Sequence, residues 1–110
     1  MFSKKIGSGI TSSAVATVSP TATVSTPTDV TVTFPNGTNG IPKQIRASGS
    51  VAGSVILQYA TGAQLAIPVN PNAPFTVAKI PPSAFPSPVD KVTLQYTASG
   101  AGTITIFIDY

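Results

Sequence analysis

The chain has 110 residues, six basic and three acidic, with a net charge of +3 and no cysteine or histidine. Glutamate and tryptophan are also absent, so acid–base, thiol and metal chemistry have almost no side chains to draw on. A chain of this length makes one domain. It can bury roughly 65% of its unfolded surface, which is enough for one small core.

Charged residues are 8% of the chain, against about 25% in an ordinary soluble domain. Thr, Val and Ile together make up about a third of it. That composition suits strands and extended interfaces, whose centres are depleted in charge. Apart from the adjacent Lys4 and Lys5 the basic residues are scattered, which argues against a nucleic-acid footprint. No apolar run approaches the roughly 20 residues of a membrane-spanning helix. The N-terminal stretch lacks the continuous apolar core of a secretion signal.

In chain order, residues 1–28 are rich in Ser, Thr, Ala and Val and are interrupted by Pro20 and Pro27. They read as an extended arm, flexible in isolation, which is either a disordered tail or an arm that orders against a neighbouring subunit, with a short β segment possible at Ala14–Val18. Residues 29–110 read as a β-sandwich domain. Val30, Val32 and Phe34 alternate with Thr31 and Thr33 in the pattern of a half-buried strand. Pro35-Asn36-Gly37 and Asn39-Gly40 supply turns with positive φ. A second strand is expected within Ile41–Ala47, with Pro42 at its start or on an edge.

Val55–Ala60 and Gln64–Val69 flank Thr61-Gly62-Ala63 and predict a hairpin. Phe75–Ile80 is the next strand. The following prolines, Pro81, Pro82, Pro86 and Pro88, impose a rigid non-helical loop. Val92–Thr97 and Thr103–Tyr110 alternate around a Gly-rich loop and predict a closing hairpin. Phe107 stands on the otherwise polar side of the last strand, which implies cover on both of its faces. The segment TITIFI is β-prone and uncharged, so a soluble protein must pair or cover it. The whole pattern predicts an all-β fold, a small antiparallel β-sandwich or jelly-roll-like barrel with an extended N-terminal arm.

Chemistry-bearing groups are few. Asp29, Asp90 and Asp109 are the entire acidic set, each at a strand end or turn where Asp caps or is solvated. Tyr59, Tyr96 and Tyr110 could stack on sugars, but their alternation fits buried strand faces better. The expectation is therefore a non-enzyme without metal, cofactor or small-molecule substrate.

The order of segments from Thr28 onward resembles the small all-β phage head proteins of the capsid decoration (cement) and head-spike-base type. The matching pieces are Ala52-Gly53-Ser54-Val55, Ile67-Pro68-Val69, Pro74-Phe75-Thr76-Val77-Ala78-Lys79-Ile80 and Ile106-Phe107-Ile108-Asp109-Tyr110. The longer loop at Thr97–Thr103 and the Pro-rich insert at Pro81–Pro88 depart from the pattern. The resemblance implies a virion structural protein on the capsid surface, a homo-oligomer with a trimer expected, whose partner is the major capsid protein. No catalytic residue is carried over. Nucleic acid and membrane are not expected partners. A small coat or tail subunit and a glycan-binding β-sandwich are the alternatives. The residues expected at subunit contacts are Lys4, Lys5, Ile6, Ile10, Val15, Val18 and Val24 in the arm, Pro82, Phe85 and Pro86 in the loop, and Phe107 and Tyr110 on the closing strand.

Overall fold

A computed structural model describes residues 12–110. Strands β1 (Ser13–Val18), β8 (Ile104–Asp109), β3 (Gln44–Gly49) and β6 (Thr76–Lys79) form one sheet in the order β1-β8-β3-β6. Strands β2 (Val24–Thr33), β7 (Lys91–Ala98), β4 (Gly53–Gln58) and β5 (Gln64–Val69) form the other in the order β2-β7-β4-β5. All neighbours are antiparallel. The protein is a β-sandwich, as the alternation predicts.

Side chains of period 2 build the space between the sheets. Ile45 and Ala47 of β3 and Ile104, Ile106 and Ile108 of β8 come from one sheet. Val32 of β2, Val55 and Leu57 of β4, Val69 of β5 and Leu94 of β7 come from the other, and all are essentially inaccessible to solvent. Each fully buried Val, Leu or Ile contributes about 1.5–3 kcal/mol relative to exposure. The TITIFI segment is β8, hydrogen-bonded to β1 on one side and β3 on the other. Its exposure as a free edge is thereby removed.

The hairpin around Thr61-Gly62-Ala63 forms as expected, pairing β4 with β5. Gly62 takes φ 97°, and the Tyr59 N–H donates to the Ala63 carbonyl at 2.8 Å. Asn36 and Gly37 both have positive φ in the turn after β2. The Pro-rich loop is irregular apart from one 3-10 turn at Pro82–Ala84.

Two expectations are corrected. The arm does not extend through residue 28, because β1 pairs along its length with β8 and β2 pairs with β7 from Val24 onward. Ala14 is buried, and Ala16, Val18 and Val24 pack against the core. The small side chains of Ala14 and Ala16 read as low hydrophobicity in the sequence, but they suit a position beside the bulky Ile108 and Ile106 of β8. Residues 1–11 lie outside the described residues. The closing hairpin is also absent, since β7 and β8 belong to different sheets. Both strands have one apolar face toward the same core, and a crossing loop satisfies that as well as a hairpin does. In that crossing, Ser99 donates its N–H to Ala52 and Gly102 donates to Pro20.

The end of β8 is locked by aromatic packing. Phe34 and Tyr110 are buried and stack at a centroid distance of 4.1 Å with rings 4° from parallel. Gly40 lies against this stack, and a Cβ there would come within 2.5 Å of the Tyr110 ring. Only glycine fits beneath the ring.

Candidate functional site

The two outer sheet faces differ sharply. On the β2-β7-β4-β5 face, amide side chains form a ladder across four strands. Gln64 donates to Gln58 at 2.9 Å, Gln58 to Gln95 at 3.5 Å, and Gln95 to Asp29 at 3.0 Å. Ser54 and Thr97 share a hydrogen bond of 2.8 Å beside it. These side chains satisfy one another across the sheet.

The outer face of β1-β8-β3-β6 is apolar along one row. Register places Val15 beside Phe107, Phe107 beside Arg46, and Arg46 beside Val77. Phe75 immediately precedes β6 and turns onto this row, its ring edge-on to Phe107 at 5.4 Å. The large hydrophobic residues exposed among the described residues are Val15 (55%), Val77 (51%) and Phe75 (39%), and all belong to this face. Apolar residues exposed singly are ordinary on a protein surface, whereas these three share one face.

Arg46 holds the row in place. Its guanidinium lies 4.4 Å from the Phe107 centroid and 5.2 Å from that of Phe75, in range for cation–π attraction to both rings. The same group forks onto the Asp109 carboxylate, with Nε to Oδ2 at 2.9 Å and Nη2 to Oδ1 at 3.1 Å. Gln44 donates to Oδ2 at 2.7 Å, and the Ser13 hydroxyl donates to Oδ1. Asp109 is 1% exposed. Burial alone would raise its pKa, but the hydrogen bonds from Arg46, Ser13 and Gln44 and the charge of Arg46 outweigh it, and the carboxyl is held below its ordinary value of 3.8. Asp109 is therefore neither a cap nor a solvated turn residue. It anchors β1, β3 and β8 together and fixes the one cation on the apolar row. An open groove of about 610 Å³ continues the face past Phe75, lined by Pro71, Pro74, Ser48 and Thr105 among others.

The residues expected at subunit contacts fall into distinct environments. Val15 is exposed on the apolar row, and Phe107 is half-buried in it beneath Arg46. Pro82 and Pro86 are exposed on their loop. Val18 and Val24 are half-buried against the core. Phe85 is corrected to a core residue, 4% exposed and edge-on to Tyr59 at 6.0 Å, because Ala84 and Phe85 fold the loop back onto the sandwich. Tyr110 is likewise a core residue under Phe34. Lys4, Lys5, Ile6 and Ile10 lie outside the described residues. The structure thus brings together Val15 and Phe107 and adds Arg46, Phe75 and Val77, which the sequence reading did not single out. The alternation of Phe75 and Val77 with Thr76 and Ala78 was the available signal for two of them.

The three tyrosines differ in burial, Tyr59 and Tyr96 being half-buried and Tyr110 buried. Tyr59 and Tyr96 pack against the core. Among the described residues, no group of three or more potential metal ligands gathers, and no helix is long and apolar enough to cross a membrane. No protein-family model matches the chain, and no curated protein matches it.

Proposed function

We propose that this chain is a non-enzymatic structural subunit that seats the outer face of its β1-β8-β3-β6 sheet on another protein surface. The observation that carries this reading is the gathering of Val15, Phe75 and Val77 around Phe107 and Arg46 on one face, opposite a face where polar side chains satisfy one another across the sheet. Interface centres combine aromatic side chains with Arg in this way. Arg46 arrives with its orientation set by Asp109, so less side-chain entropy is lost on docking.

The resemblance of the sequence segments from Thr28 onward to phage decoration and head-spike-base proteins makes a capsid shell the surface to test first. On that reading the chain is a capsid decoration or cement subunit on the virion surface, bound to the major capsid protein. The test is co-sedimentation of the purified chain with shells that lack it. The wild-type chain should pellet with the shells. Val77→Lys and Phe75→Ser, both at exposed positions, should weaken binding at least tenfold while leaving the fold intact by circular dichroism. Failure of the wild-type chain to bind the shells, or undiminished binding by both variants, refutes the proposal.

A further inference from the structure

The free edge of β1 is the least protected strand edge of the sandwich. Ser12 and Tyr110 exchange two backbone hydrogen bonds, each 2.9 Å, so Ser12 directs its N–H and C=O toward β8. By the alternation of an antiparallel ladder, Ala14, Ala16 and Val18 do the same, and Ser13, Val15 and Thr17 point theirs away from β8. Among the described residues no strand pairs with that side of β1. The other three edges carry devices that discourage pairing. β6 is only four residues long and bears Lys79. β5 contains Pro68. β2 contains Pro27 and a register break between Val24 and Thr28. β1, SAVATV, has no charge, no proline and no glycine.

We infer that β1 is a self-association strand whose occupant is β1 of a second copy of this chain, paired antiparallel about a twofold axis through Val15. A twofold contact is self-complementary by construction, and this register makes it so in two respects. Ser13 meets Thr17 of the second copy, Val15 meets Val15, and Thr17 meets Ser13. All are pairs whose backbone groups face one another, for about six hydrogen bonds. Side chains directly opposite share a face, so the two Val15 side chains lie together and the most exposed large apolar residue of the described chain leaves water. The rows Val15–Phe107–Arg46–Val77 of the two copies then join into one stripe across eight strands. With no charge on either strand, nothing repels the second copy. The unit of this contact is a dimer, in place of the trimer expected from the sequence. The inference goes beyond the proposed function, since it concerns how copies join and holds whether or not the face docks on a shell.

The experiment is sedimentation velocity of the full chain over a wide concentration range, with two variants. Val15→Pro removes an N–H that faces away from β8, so it costs the monomer no ladder bond but blocks the second copy. Val15→Lys, at the same exposed position, opposes two ammonium groups across the axis and serves where the proline variant fails to fold. The wild-type chain should form a dimer, and the variant that folds should dimerise at least tenfold more weakly. Because the chain has no cysteine, Val15→Cys introduces a sole thiol, which a short bismaleimide should link into a covalent dimer. Val77→Cys, on the opposite edge strand, should remain unlinked. A wild-type chain that is monomeric or trimeric throughout, dimerisation unchanged in the folded Val15 variant, or cross-linking through Val77→Cys alone would overturn the inference. Val77→Lys should leave the dimer intact, which separates this contact from shell binding.

Discussion

Replacing Asp109 with Asn tests whether the buried carboxylate braces the outer sheet. The Asn side chain keeps the shape but loses the charge, and one carboxylate oxygen becomes an amide NH2 group, which can only donate. If that NH2 takes the place of Oδ2, it faces two other donors, Nε of Arg46 at 2.9 Å and Nε2 of Gln44 at 2.7 Å from the oxygen it replaces. Hydrogen bonds to a charged group are worth about 1.5–3 kcal/mol each, and breaking one partner of a buried ion pair costs about 3–5 kcal/mol. The Arg46 side chain remains 27% exposed, so water compensates part of the loss. A destabilisation of about 2–3 kcal/mol follows, equivalent to a drop in Tm of roughly 10–20 °C for a domain of this size.

The assay is urea unfolding at several pH values. Because the folded carboxyl titrates below its unfolded value of 3.8, its contribution is fully present above that value. It is lost as the pH falls through 3.8 toward the depressed folded value. The wild-type chain should therefore lose more stability on acidification from pH 6 to pH 3 than Asp109→Asn does. A double-mutant cycle with Arg46→Met should give a coupling of at least 1 kcal/mol, the range expected of residues in one network. Asp109→Asn within about 0.5 kcal/mol of wild type, the size of an ordinary surface change, or an unchanged acid dependence, would refute the reasoning.

Four further outcomes are expected. Ile106→Ala, at a position with no solvent exposure, should cost about 2–5 kcal/mol in chemical denaturation. Gly40→Ala should cost about 1–3 kcal/mol, because its Cβ would force the Tyr110 ring from its place against Phe34; an unchanged near-ultraviolet circular dichroism signal would count against that contact. Deleting residues 1–11 should leave the sandwich folded by thermal scan. Deleting residues 1–20 removes β1, uncovers one side of β8, and should give an aggregating chain with increased binding of a hydrophobic dye.

The strand alternation was legible because Val, Ile and Leu at every second position leave no other way to bury one face. The β4–β5 hairpin was legible because its turn is local. What was not legible depends on pairing between distant segments. Asp109 reads as a strand-end carboxylate until β8 is laid beside β3, which brings Gln44 and Arg46 to it from more than sixty residues away. The β segment at Ala14–Val18 was legible from its weak alternation and is β1, but the burial of Ala14 and Ala16 in the sandwich was hidden for a related reason. Small side chains carry little hydrophobic signal, and their value depends on the large isoleucines opposite. Phe107 was the informative exception, since an aromatic residue on a polar face indicated that something lay over it, and Arg46 and Phe75 do. The crossing from β7 to β8 could not be told from a hairpin, because both connections suit two strands with one apolar face each.

The central place of β8 has a consequence for synthesis. The β2-β7-β4-β5 sheet has all its strands once Ala98 has emerged, but the other sheet then lacks its middle member. β1 and β3 both hydrogen-bond to β8 and have no ladder with each other. As the chain is made from its N-terminus, β1 must wait until Ile104–Asp109 has been made before its ladder can form. Pairing over such separations is slow, because the entropy of closing the loop is lost before any contact repays it. Ile104–Asp109, the middle strand that joins β1 to β3, is thus synthesised after every other strand of both sheets, and until it emerges neither β1 nor β3 has the partner that links them.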